Sequence, residues 1–297
     1  MSAAIAFDQP GPRTRRRLLA VSVIASAVLI ALAGLVLWRL WMQGQLSGPK
    51  WGPLVNPAHP LFVTLWTKLG LALRRNGEAA LLAMTLSLLI GTVLAVARIS
   101  LPRWARWSVA TTIEFFRGLP VVIAIFFAAR VMPELGISLP LLWYLVIGLT
   151  AYNSVIIAEI VRAGLASLPC GQAEAAAALG LTRGQALRVV LLPQAFRVML
   201  PTLISQLVVI FKDTSLGFVI LYAEAVRFVA IAIQELHNPL QLYFTIGIIF
   251  ILINYLLSTL AVFVQQRTQL RRPSRLPAVP GAAPHGAVFA GSNAAGG

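Results

Sequence analysis

Composition and charge place this chain of 297 residues in a membrane. Its residues are 59% hydrophobic and only 11% charged, with a mean hydropathy of +0.84, whereas soluble domains carry about 25% charged residues. The net charge of +15 comes from basic residues that flank apolar runs, a pattern that argues against both a soluble domain and a nucleic-acid-binding module.

The N-terminal quarter predicts a membrane anchor followed by an external segment. Residues 1–17 are polar and arginine-rich, and the apolar run 18–41 is too long for a cleaved signal peptide. We therefore expect a cytosolic N-terminus and an uncleaved transmembrane helix. Residues 42–74 are rich in Gly, Pro and Trp and predict an external segment, within which 61–75 has the pattern of an amphipathic interfacial helix.

Further apolar runs bring the expected number of transmembrane helices to six. The five spans after the first are predicted at 77–97, 109–132, 139–161, 193–222 and 240–264. Arginines after the second and the last span place those loops in the cytosol by the positive-inside rule. The tail 267–297 is rich in Pro, Ala and Gly and is expected to be a disordered cytosolic tail.

An alanine-rich helical hairpin is predicted at 170–193, between the fourth and fifth spans. Strong helix formers end at Gly180, which suits a helix C-terminus. Thr182 and Gln185 fit a capping box that opens a second short helix, and Pro193 suits the first turn of the next one. Two short charged helices between membrane spans indicate a docking surface for another protein.

Charged and polar side chains within the predicted spans are candidates for a translocation path, because such groups are costly in a bilayer and usually face a cavity or a partner. The candidates are Glu114, Arg117, Asn153, Glu159, Lys212 and Asp213. Glu114 and Arg117 are three residues apart on a helix, as are Glu159 and Arg162, so a purely structural ion pair is the alternative for both pairs.

Lys212 and Asp213 are adjacent and point to different sides of their helix. They lie roughly 28 Å along the fifth span from Pro193 at about 1.5 Å per residue.

No pattern in the sequence indicates chemistry within the chain itself. Cys170 is the single cysteine, its neighbours lack metal-ligand spacing, and no P-loop motif is present. The chain is therefore expected to hold no metal and no cofactor, and not to be an enzyme.

The hairpin residues resemble the EAA loop of permease subunits of ATP-binding-cassette (ABC) importers. The positions that match in register are Glu174, Ala175, Ala176, Gly180, Leu192 and Pro193, with Val190 where Ile is usual. Sequences around the hairpin are similar to permeases for polar amino acids, and this resemblance covers about 75–266. The similar stretches are 114–120, 151–154, 158–164, 167–172, 194–197, 200–201 and 212–216. Within that family, residues 203–220 are most similar to glutamate-uptake permeases.

The resemblance implies an all-α membrane protein of the ABC transmembrane type-1 fold in the bacterial cytoplasmic membrane. It implies three protein partners: ATPase subunits that use ATP and Mg, a second permease subunit, and an extracytoplasmic solute-binding protein. The residues expected to couple ATPase and permease are Glu174, Ala175, Ala176, Gly180, Arg183 and Pro193. Three features depart from the family pattern: the extra N-terminal segment 1–60, the tail, and Cys170 where a basic residue is common.

A polar amino acid, with glutamate and aspartate favoured, is the substrate that this resemblance implies. The alternatives within the class are basic amino acids, glutamine, cystine and opines. A membrane scaffold or channel without ATP coupling is the alternative outside it, and the spacing of the hairpin motif argues against that alternative.

Overall fold

Residues 11–269 are described by the computed structural model, and they form helices and connecting turns without any β-strand. The α-helices are α1 (Pro12–Met42), α2 (Gly48–Val55), α3 (Phe62–Ser100), α4 (Arg103–Gly118), α5 (Val121–Glu134), α6 (Leu141–Ala166), α7 (Cys170–Ala178), α8 (Arg183–Gln185), α9 (Leu192–Asp213), α10 (Ala225–Leu236) and α11 (Pro239–Gln269). A π-helical segment, Ala186–Leu191, joins α8 to α9, and a 3-10 helix, Thr214–Ile220, follows α9. The predicted disordered tail lies almost entirely outside the described residues.

Helix α6 is the centre of the bundle and packs against α3, α5 and α9. Its core side chains, among them Leu145, Leu149 and Ile157, are fully buried. Small residues allow the close approach of α3, because a Cβ atom at Gly91 would lie 2.6 Å from the Ser154 carbonyl oxygen. This packing holds together the helices on either side of the predicted hairpin.

Among the described residues, five helices are long and apolar enough to cross a membrane, and a sixth span would need α4 and α5 together. Those two helices meet at 100°, so the span predicted at 109–132 is not one straight helix. The break follows from Pro120. Leu119 precedes it and adopts an extended conformation, as residues before proline prefer, and Pro120 is the non-helical N-cap of α5.

A second prediction is wrong, because residues 61–75 do not form a helix separate from the span 77–97. The two form one helix of 39 residues, roughly 58 Å long, against a hydrocarbon core of about 30 Å. The predicted domain boundary at 74/75 therefore falls inside a helix. Asn76 does not break α3, because its side chain is fully buried and hydrogen-bonded to Thr214 and Ala225.

The fifth predicted span, 193–222, is α-helical only to Asp213, where the 3-10 helix begins. The Thr214 hydroxyl donates to the Phe211 carbonyl at 2.7 Å. This is a local side-chain hydrogen bond of the kind that competes with a regular helix.

The predicted N-terminal anchor is α1. Its most apolar stretch is not buried against the rest of the described chain.

Candidate functional site

The first helix of the hairpin, α7, ends in a Schellman motif as the sequence predicts. The Leu181 amide donates to the Ala176 carbonyl at 3.2 Å, and the Gly180 amide donates to the Ala177 carbonyl at 2.9 Å. Gly180 has a φ of +76°, a left-handed conformation that glycine adopts without steric cost. The glycine therefore fixes the sharp turn between the two arms of the hairpin.

The second arm begins with the predicted capping box. The Thr182 hydroxyl accepts from the Gln185 amide, and the Gln185 side chain accepts from the Thr182 amide at 2.9 Å. The prediction of a separate second short helix is wrong, however. Helix α8 continues through the π-helical segment into α9, with Pro193 in the first turn. The second arm is therefore continuous with a membrane-crossing helix.

A side-chain hydrogen bond ties the first arm to the start of α9. The Gln194 side-chain amide donates to the Gln172 side-chain carbonyl at 3.0 Å. Ala176 and Ala186 are buried, one in each arm, and their small side chains permit close packing. The hairpin is thus joined to α9 by both its backbone and its side chains.

The residues predicted to couple to an ATPase lie on the outside of this hairpin, with one exception. Glu174, Ala175, Gly180, Arg183 and Pro193 are exposed, whereas Ala176 is buried and supports the packing. An exposed apolar residue was missed by the sequence reasoning. Leu179 is 81% exposed at the tip, and its position beside the capping glycine could have indicated it.

The predicted path residue Asn153 is buried between α6 and α9. Its side-chain carbonyl accepts a hydrogen bond from the Gln206 side-chain amide at 2.8 Å, and its own amide donates to the Leu149 carbonyl at 2.8 Å. Gln206 was missed because its sequence position alone does not show which side of α9 faces α6.

Glu159 lies in a group of three charges near the hairpin-side end of the bundle. Arg162 of the same helix donates to its carboxylate at 2.8 Å, as the spacing predicts, and Arg98 at the end of α3 donates to the other oxygen. The contact with Arg98 was not predicted. It links α3 to α6 where the chain enters the hairpin.

The remaining candidates are more exposed and are not brought into one cluster. Glu114 and Arg117 form a pair at 3.9 Å, with side chains 62% and 61% exposed. Lys212 is exposed and Asp213 is half-buried, at the end of α9 away from the hairpin. Within 11–269, Lys212 and Asp213 form no ion pair, and no three His, Cys, Asp or Glu side chains could hold a metal.

A buried polar network that the sequence reasoning missed joins α3 to the N-terminus of α10. The Asn76 side chain donates to the Thr214 hydroxyl at 2.8 Å and accepts from the Ala225 amide at 3.0 Å. The Glu224 carboxylate caps α10 by accepting from the Val226 and Arg227 amides at 2.7 Å. Burial raises the pKa of the Glu224 carboxyl above its ordinary value, although these hydrogen bonds oppose that shift.

A bundle of apolar helices with an exposed helical hairpin at one end has the architecture of the membrane subunit of a transporter. The family of binding-protein-dependent transport system inner membrane components matches residues 87–270, and the chain belongs to that family. The glutamate transport system permease protein of Corynebacterium glutamicum is 40% identical over 77% of this chain and 84% of its own length. The glutamate/aspartate import permease protein of Escherichia coli O157:H7 is 31% identical over 63% of this chain and 87% of its own length.

The fold is also similar to that of a solved transporter. A chain from the crystal structure of an amino acid ABC transporter with histidines superposes with a TM-score of 0.64. It is 27% identical to this chain, and the match covers 69% of this chain and 96% of that one. This likeness confirms the predicted all-α ABC permease fold.

Proposed function

We propose that this chain is the permease subunit of an ATP-driven importer of acidic amino acids, with glutamate the preferred substrate. The observation that carries the proposal is the similarity to the glutamate permease of Corynebacterium glutamicum over most of both chains. The exposed hairpin supports the same function, because its geometry suits a docking surface for a separate ATPase.

ATP binding and hydrolysis, with their Mg ion, are assigned to that partner ATPase. Closure of the ATPase subunits would move α7. The motion would reach α9 through the hydrogen bond between Gln172 and Gln194 and through the continuous backbone of the π-helical segment. Nucleotide drives such a change only by binding the two states with different affinity. Leu179 would fill an apolar depression on the ATPase, while Glu174 and Arg183 would meet charges of opposite sign.

A second permease subunit and an extracytoplasmic solute-binding protein complete the proposed complex in a bacterial cytoplasmic membrane. The binding protein delivers the amino acid at the end of the bundle away from the hairpin. Lys212 is exposed at that end of α9, where its ammonium group would attract the carboxylate of the substrate. Arg117, which is exposed on α4, is a second candidate for the same role.

Uptake by cells lacking the gene tests the proposal. Deletion should abolish high-affinity uptake of radiolabelled glutamate, and a plasmid-borne copy should restore it. The alternative is an importer of basic amino acids, glutamine, cystine or opines. If glutamate and aspartate uptake persist in the deletion strain while arginine or cystine uptake disappears, the substrate assignment is wrong and the importer assignment survives.

A further inference from the structure

Residues 43–56 pack against α3, α10 and α11 at the end of the bundle away from the hairpin. They belong to the N-terminal segment 1–60, which departs from the family pattern, and we call them the strap. Within the strap, α2 packs against both α3 and α11. Leu54 of α2 is buried in an apolar cluster that includes Leu69 of α3, Val229 of α10 and Leu242 of α11. The strap is therefore part of the packed bundle, whereas the most apolar stretch of α1 is not buried against the described chain.

Two buried side chains at the start of α11 donate hydrogen bonds to backbone carbonyl groups of the strap. The Asn238 side-chain amide donates to the Lys50 carbonyl at 3.0 Å. The Gln241 side-chain amide donates to the Gln45 carbonyl. Asn238 and Gln241 are only 2% and 0% exposed, and a buried amide that loses its hydrogen-bond partner retains the cost of its desolvation. The start of α11 therefore depends on acceptors that the strap supplies.

Two tryptophans hold the strap against the helices beside it. The ring of Trp51 in the strap meets the ring of Phe244 in α11 edge to face, with the ring centroids 6.0 Å apart. The Trp51 indole also donates to the Gln45 carbonyl at 3.2 Å, which folds the strap back on itself. The Trp66 indole of α3 donates to the Leu54 carbonyl at 3.1 Å. The strap thus has directional contacts with both α3 and α11.

The apolar cluster that contains Leu54 is distinct from the cluster around α6. The first joins residues of the strap, α3, α10 and α11, whereas the second joins residues of α3, α5, α6, α9 and the 3-10 helix. Phe250 of α11 packs against both clusters and marks their boundary. The parts of α3, α10 and α11 next to the strap therefore share an apolar core of their own, which the strap helps to bury.

We propose that the strap stays closed during transport, so that the parts of α3, α10 and α11 next to it move as one unit. This inference rests on the proposed importer function. Opening the strap would remove the acceptors of Asn238 and Gln241, and it would bring Leu54, which is 5% exposed in the closed strap, into contact with solvent. An opening toward the extracytoplasmic side then forms beside this unit rather than between its helices.

Cross-linking tests whether transport requires the strap to open. The pair Gln45→Cys/Gln241→Cys is placed in a Cys170→Ser background, and the two single cysteines are the controls. A protease site inserted after Ala58, which is exposed between α2 and α3, is cut after the assay and shows on a non-reducing gel whether oxidation has linked the strap to α11. We expect the pair to link in membranes. The linked protein, reconstituted with the ATPase and the binding protein, should retain most of the ATP-driven glutamate uptake that it shows after reduction.

A second pair, Lys50→Cys/Asn238→Cys, should give the same result. Uptake that stops when the strap is linked and returns on reduction would show that the strap opens in the transport cycle, and it would overturn the proposal. Failure of both pairs to link would show that the strap is not seated on α11, and it would overturn the proposal as well.

Hydrogen–deuterium exchange of the wild-type complex is a second measurement that needs neither a cysteine nor uptake. The amides of α2 should exchange at the same rate without nucleotide and with ATP and vanadate, which hold the ATPase in one state of its cycle. Faster exchange in α2 with ATP and vanadate would overturn the proposal. Unchanged exchange in α2 together with no glutamate uptake by the wild type would contradict the proposed substrate and support a closed strap.

Discussion

The side chains of Asn153 and Gln206 form a buried hydrogen bond of 2.8 Å between α6 and α9, the two helices that flank the hairpin. Both side chains are almost completely shielded from solvent. A buried amide that loses its partner retains the full cost of its desolvation. This bond therefore fixes the register of the two helices through which the hairpin is attached.

Replacing one partner of this bond should destabilise the protein more than replacing both. Asn153→Leu leaves the Gln206 amide without a partner, and we expect a loss of about 1–3 kcal/mol of stability. The double variant Asn153→Leu/Gln206→Leu should recover a good part of that loss. Thermal unfolding of the wild type, Asn153→Leu, Gln206→Leu and the double variant in one detergent measures the coupling. Strictly additive effects of the two substitutions would show that the bond contributes nothing.

The native cysteine offers a direct test of orientation. Cys170 is the single cysteine of the chain and is exposed at the start of α7. We expect a membrane-impermeant maleimide to label it in inside-out vesicles and not in intact cells. In a Cys170→Ser background, Ile137→Cys, in the loop between α5 and α6, should show the opposite pattern. Labelling of Cys170 in intact cells would contradict a cytosolic hairpin.

Stability should depend on pH through Glu224. Its pKa in the folded protein is raised above the ordinary value of 4.5 by burial, so the folded state holds a proton that the unfolded chain has already released. The contribution to stability is fully present below about pH 4.5 and is lost as the pH rises through the raised value.

The melting temperature of the wild type should accordingly fall as the pH rises from about 4.5 through the raised pKa of Glu224. Glu224→Gln should flatten this decrease. Glu235→Gln, an exposed position in the same helix, is the matched control. If the Glu224 variant and the control have the same pH dependence as the wild type, Glu224 is not the titrating group.

Lys212 should matter for transport rather than for folding. Its side chain is exposed and makes no ion pair within the described residues, so Lys212→Ala should leave expression and assembly unchanged. If the ammonium attracts the substrate carboxylate, uptake of glutamate at low concentration should fall roughly tenfold, and Lys212→Arg should restore most of it. Equal uptake by Lys212→Ala and wild type would remove this residue from the path.

Local signals in the sequence were sufficient to predict the turn between the two arms of the hairpin. Gly180 and the pair of Thr182 and Gln185 act within one or two turns, so the helix end and the capping box follow from the residues themselves. The ion pair of Glu159 with Arg162 is local in the same sense, because the two residues are three positions apart on one helix.

Contacts between distant parts of the chain could not be predicted in this way. Arg98 meets Glu159 across 61 positions, and Asn76 meets Ala225 across 149, so neither pair has a spacing that a single sequence displays. The same long-range contact accompanies the wrong boundary at 74/75. The buried side chain of Asn76 is hydrogen-bonded to Thr214 and Ala225 within an uninterrupted α3, and a single sequence does not display those partners. The bend at Pro120 was locally visible, since a residue before proline avoids the helical conformation.

Two glycine substitutions in the hairpin are compared by the ATP-driven uptake of glutamate into proteoliposomes. The proteoliposomes contain this chain together with the ATPase and the binding protein proposed above. Gly180 has a φ of +76°, whereas Gly184 lies in α8 with a φ that is not positive, and no neighbouring atom is within 4 Å of a Cβ added at either position. Valine at Gly180 would therefore strain the turn, and valine at Gly184 would not. We expect Gly180→Val to abolish glutamate accumulation and substrate-stimulated ATP hydrolysis while the chain still inserts, and Gly184→Val to retain most of both. Wild-type accumulation and stimulation in the Gly180 variant would contradict a coupling role for the hairpin.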